Sequence, residues 1–265
     1  MVKFLKNEII KMMHSKKIYI LLAFVIFMIL AICYMMHLDQ NNIINNAPKT
    51  REYTKQIKTD VLNMNSVIFL KMFSTEFIFR PVVPYFAFFM VVFSVEIFGQ
   101  DFFSGNMKYF ARLDKDTINI FKSKVLILII YSILVVAINI ILGFIISSFV
   151  FKVSFHGLGR IICIYGSSII PLASFGLIIG IMSMFINNKT ISVTLGIIIS
   201  VFLTVADRLT ITRNFSPIGV ISIMEKARSN ITLSALLMAN LASVIYLLLA
   251  YFIGKSIFRN KEFNY

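Results

Sequence analysis

The chain has 265 residues, 58% of them hydrophobic and 14% charged, with a mean hydropathy of +0.87 and a formal net charge of +14. A soluble domain carries about 25% charged residues, so this chain lacks the polar groups to cover a water-facing surface, and a soluble enzyme is excluded. The excess of Lys and Arg flanks apolar segments, where anionic headgroups attract it. It forms no separate basic stripe with interleaved aromatics, which argues against nucleic acid as a partner.

Residues Val2–Met13 can form an amphipathic helix, the alternative being an ordinary basic flank before the first span. At 100° per residue, Val2, Leu5, Ile9, Met12 and Met13 share one arc, with Lys3, Asn7 and Lys11 opposite and Phe4 a misfit on the polar side. Such a helix is expected to lie along a membrane surface. The apolar run that follows is too long for a signal-peptide core and no A-x-A site follows it, so it reads as a retained helix.

A membrane-spanning helix needs roughly 20 apolar residues. Six segments meet or approach this: 18–38, 81–98, 125–151, 161–186, 190–206 and 235–254. Of the 26 basic and 12 acidic residues, Glu96 alone falls inside them, as the cost of a charge at the bilayer centre requires. Ile18–Ile32 is apolar all round, without the alternation of a barrel strand. The expected fold is an all-α membrane protein of six transmembrane helices in one domain, preceded by the amphipathic interface helix.

Between these spans lie two long loops. Segment 39–80 is Asn-rich, then amphipathic around Val61–Phe79, and has room for a small external helix. Segment 99–124 carries Phe103, Met107 and Phe110 at spacings of four and three, an apolar face among charges that suits docking on another protein. In segment 207–234, Ser216-Pro217-Ile218-Gly219 fits either a re-entrant turn or a surface loop. If both termini are cytoplasmic, inside segments hold 14 basic residues in 57 positions and outside segments 12 in 79. The positive-inside rule favours that orientation. The Lys-, Asn- and Ile-rich composition suggests an AT-rich bacterial genome.

Catalytic patterns are sparse. Cys33 and Cys163 both lie in spans and give no metal spacing, and His14, His37 and His156 are scattered. Gly254-Lys255-Ser256 imitates the end of a phosphate-binding loop, but Leu249 stands where that loop needs Gly. No cofactor is expected in this chain. Polar groups inside spans are the remaining candidates: Glu96 near the inner end of the second span, and Asn139 and Asn240 deeper, for a translocation path or for helix packing. Pro171 is expected to kink the fourth span. Gly176 and Gly180 form a small-xxx-small pattern for close helix packing.

The layout resembles the permease subunits of ABC-2-type ABC transporters. Their loop after span two commonly shows an acidic residue, three residues and Gly-Thr, then Pro-x-x-Arg and a Lys opening span three. Asp101, Gly105 and Lys124 match; Asn106 replaces the Thr, and Leu113-Asp114-Lys115-Asp116 replaces Pro-x-x-Arg. The resemblance implies that Asp101–Lys124 acts as a cytoplasmic coupling helix seated on a separate ABC ATP-binding subunit. Asp101, Phe103, Gly105, Met107 and Phe110 are then the interface. ATP and Mg would belong to that subunit. A second permease, identical or related, would complete the path, and the cargo would be a peptide, antibiotic or other amphipathic compound leaving across the cell membrane. Two other classes compete: a membrane-embedded immunity or sensor protein that binds a toxic peptide without pumping it, and an intramembrane enzyme, for which Glu96 is the one acidic group within the spans.

Overall fold

The structure, a computed structural model, describes residues 2–14, 16–45, 55–73, 85–105, 117–186, 188–206 and 233–260, together with Leu209 and Ser216. Helix α1 (Val2–His14) precedes the first span, α2 (Lys16–Ile44). Two short helices follow, α3 (Lys55–Leu62) and α4 (Ser66–Phe73). The second span is composite: α5 (Tyr85–Ser94), a π-helical turn (Val95–Gly99) and α6 (Gln100–Phe103). Then come α7 (Thr117–Val150), α8 (Leu158–Gly166), α9 (Ile169–Ser183), α10 (Lys189–Ala206) and α11 (Leu233–Asn260). Six helical stretches are long and apolar enough to cross a membrane, beginning at Ile18, Tyr85, Ile118, Leu158, Lys189 and Asn240. The protein is an all-α, multi-pass membrane protein.

The spans occupy the expected segments, with three differences. Helix α7 begins at Thr117 rather than near residue 125. Its 34 residues at about 1.5 Å each give roughly 51 Å, well beyond a hydrocarbon core of about 30 Å. The polar first turns, Thr117–Lys124, therefore continue the helix outside that core. The fourth span is two helices, α8 and α9, broken at Ser167 and Ser168. Pro171 falls in the first turn of α9 instead of kinking one continuous helix. Having no N–H, it cannot donate to the Ser167 carbonyl four residues back. Regular bonding resumes with the Leu172 amide donating to the Ser168 carbonyl at 3.0 Å. The third difference is the 39–80 segment, which holds two short helices.

Helix α4 is set into the bundle by its sequence. Asn65 Oδ1 accepts from the amides of Val67 and Ile68 at 3.0 and 2.9 Å, a side-chain cap on the helix start. Phe69, Leu70 and Phe73 are buried. Leu70 packs where a Cβ on Gly143 of α7 would sit, and its carbonyl accepts from the Tyr165 hydroxyl at 3.2 Å. Ser66 Oγ donates to the Ser154 carbonyl at 3.1 Å, joining α4 to the connection after α7.

Helices α7 and α9 are central: α7 packs against α1, α2, α4 and α11, and α9 against α5, α7, α10 and α11. Around them, large apolar side chains face outward, among them Phe27 at 67% exposed, Phe202 at 70% and Phe252 at 61%. A water-facing monomer rarely exposes such continuous apolar surface; here it is the lipid face. Phe258 near the end of α11 meets the rings of Phe102 and Phe121 at 5.7 and 5.0 Å. The last turns of α11 thus share one end of the bundle with α6 and the start of α7, the same end on which α1 packs. We term this the proximal end.

Candidate functional site: a buried charge cluster at the proximal end

Helix α1 docks on the start of α7 rather than lying free along a surface. Its inward face includes part of the expected arc and is rotated beyond it. Met12 is buried and Ile9 packs against the core as expected, but Met13 is about half exposed, while Glu8 is buried and Phe4, the apparent misfit, packs against the core. The reason is electrostatic. A carboxylate turned toward a bundle must meet a cation there, and Glu8 does so.

Four side chains form the cluster. Lys124, wholly buried one helical turn or two into α7, donates its ammonium to Asp101 and to the Ile97 carbonyl. Asp101, in α6 and 3% exposed, uses its other oxygen for Lys11 of α1 at 3.3 Å. Lys11 also reaches Glu8 Oε1 at 3.1 Å, and Lys124 lies 3.9 Å from the same oxygen. Two carboxylates and two ammoniums make a neutral group, which is what allows it to be buried. Burial alone lowers the pKa of Lys11, but the carboxylates of Glu8 and Asp101 outweigh it and hold the ammonium above its ordinary value. The π-helical turn contributes an acceptor, since Ile97 lies within it. Through this cluster the N-terminal helix, the second span and the third span are tied at one point.

The residues singled out from sequence fall in distinct places. Asp101 is inside the cluster. Phe103 ends α6, half-buried, with its ring against Gly99. Gly105 has φ +71°, a left-handed conformation that suits glycine and ends the helix. Met107 and Phe110 lie outside the described residues. Glu96 sits in the π-helical turn, its Oε2 2.8 Å from Lys189 at the start of α10. This intramembrane acid is thus paired across helices. Asn139 is buried and donates to its own helix, to the Val135 carbonyl at 2.8 Å, rather than across to another. Asn240 is half-buried on α11.

Gly176 and Gly180 face the second span. A Cβ at Gly176 would lie 2.8 Å from Ser94 Oγ and 2.9 Å from Met90 Cε; one at Gly180 would enter the Phe98 ring. A second small-residue row escaped the sequence reading. Ser192, Gly196, Ser200 and Thr204 recur every four residues on α10 and are all buried. Glu8, Lys11 and the buried state of Lys124 also escaped it. One signal was present: Glu8 is the lone acid among the first 38 residues, set in a basic leader.

A cavity of about 430 Å³ adjoins the cluster, between α1 with the start of α2 on one side and the second span on the other. Its lining includes Lys11, His14 and Lys16 with Phe93, Glu96 and Gln100. No family model matches the chain, and no curated protein and no solved structure is similar to it.

Proposed function

We propose that the chain is the membrane-spanning subunit of an ATP-driven ABC transporter of the ABC-2 type, exporting a peptide, antibiotic or other amphipathic compound. ATP and Mg would be held and consumed by a separate ATP-binding subunit, and a second permease, a copy or a relative, would complete the path. The observation that carries this reading is the place of Asp101. It opens the segment that resembles a coupling helix, and its carboxylate is bound to Lys11 and Lys124. A push on that segment would reach α1, α6 and α7 together instead of being lost in a slack loop. The proximal end is taken as cytoplasmic in a bacterial cell membrane, in keeping with the denser basic residues there.

The test is to purify the protein from its source membrane and identify what accompanies it. An ATP-binding subunit is expected, with export that needs ATP. Met107→Asp with Phe110→Asp should abolish co-purification while the permease still inserts. Normal co-purification of that variant, or export that persists without any ATPase, overturns the assignment.

A further inference from the structure

Independently of any pumping role, we propose that the seam between the first and second spans is a binding site for one anionic glycerophospholipid of the proximal leaflet. The chemistry changes along the seam as it does along such a lipid. At the proximal end is the charged cavity, with Phe93 and Ile97 beneath Lys11, His14 and Lys16. Deeper, a shallow apolar groove of about 20 Å³ is lined by Phe24 and Met28 of α2 and by Tyr85 and Phe89 of α5, all half-buried, with the Phe24 ring 5.4 Å from those of Tyr85 and Phe89 and the buried Asn139 beside them. Both stretches follow one stripe of the second span, from Gln100 back through Phe93 and Phe89 to Tyr85. Those fifteen steps at about 1.5 Å cover roughly 22 Å. A single leaflet with its headgroups is about 20–22 Å, half of a 40–45 Å bilayer.

Charge selects the headgroup. The acids lining the cavity are already committed: Glu8 and Asp101 to Lys11 and Lys124, Glu96 to Lys189. Lys16 is exposed on the rim and makes no ion pair among the described residues. Among the described residues the unneutralised charge at the mouth is therefore cationic, and a phosphate complements it. The His14 Nδ1–H, 2.9 Å from the Ile10 carbonyl, is directed to the backbone, so Lys16 is the assigned phosphate contact.

The chain contains no Trp, so a single introduced Trp reports alone. Phe89→Trp places it in the groove, and Phe27→Trp places it on the lipid face of α2, a turn from Phe24, whose ring is 5.4 Å from Phe89. Each variant is reconstituted in phosphatidylcholine vesicles containing a minor fraction of phosphatidylglycerol with mid-chain brominated acyl groups. We expect Phe89→Trp to be quenched several-fold more than Phe27→Trp, and Lys16→Gln to remove the difference. Brominated phosphatidylcholine at the same fraction should quench both alike. Met28→Trp serves as a second groove reporter should Phe89→Trp fail to reconstitute. Soluble glycerol phosphate, which carries the headgroup without the chains, should not relieve the quenching. Groove reporters that follow the Phe27→Trp curve, a preference that survives Lys16→Gln, or relief by glycerol phosphate would each overturn the proposal.

Discussion

Lys124 is the residue on which the proximal end depends most. Its ammonium has no water to return to, and its partners are a carboxylate and a π-turn carbonyl. Lys124→Met should leave Asp101 facing Lys11 alone and cost about 3–5 kcal/mol, the usual penalty for orphaning one side of a buried pair. Thermal unfolding of the detergent-solubilised protein measures it. Lys124→Met with Asp101→Leu removes one charge of each sign and leaves Glu8 with Lys11. It should regain most of the lost stability, and failure to do so would show that the carbonyl contact matters more than the charges. Lys11 behaves differently because it is partly exposed. Its folded pKa is raised, so its contribution is complete below the ordinary value of 10.5 and is lost as pH rises through the higher folded value. Lys11→Gln should therefore lower the unfolding temperature at neutral pH and flatten the wild type's decline in the alkaline range.

At the scale of elements, glycines set how closely α9 and α10 approach the second span. Gly180→Ala puts a methyl into the body of the buried Phe98 ring, which cannot swing aside by moving its tip. Overpacking of this kind costs about 1–3 kcal/mol. Gly143→Ala on α7 meets the Cδ2 end of Leu70 at 2.7 Å, a flexible terminus. The unfolding temperature should therefore fall further for Gly180→Ala than for Gly143→Ala; the reverse order would mean that Leu70 of α4 is held more rigidly than Phe98 of the π-helical turn. The small-xxx-small pair was legible in sequence as a packing device. Its partner on α5 and the π-turn was not, because no local pattern names the helix that will fill a groove. The break between α8 and α9 was half legible: Pro171 announced a disruption, but the hydrogen bond it fails to donate belongs four residues earlier, so the interruption lies at Ser167.

For the whole molecule, six crossings put α1 and the end of α11 on one side and the connection after α7 on the other. In a chain with Cys33 and Cys163 replaced by Ser, Lys6→Cys and Arg259→Cys should react alike with a membrane-impermeant maleimide, and oppositely to Lys152→Cys, all three sites being exposed. Labelling of Lys152→Cys from the same side as Lys6→Cys would contradict the crossing order. With the proximal end cytoplasmic, Lys152→Cys is the one labelled in intact cells.

Read alone, the order of residues was sufficient for the medium and the crossings. Hydrocarbon penalises every unpaired charge and every unsatisfied backbone group, so long apolar stretches declare themselves as helices without knowledge of their neighbours. Which charges would be inside was settled only by tertiary structure. Glu8, Lys11, Asp101 and Lys124 come from three segments up to 116 positions apart in the chain, and each by itself looks like a solvated flank. Burial is possible only once opposite charges meet, and that meeting rotates α1 so that Glu8 faces the bundle and holds Lys124 of α7 inside it.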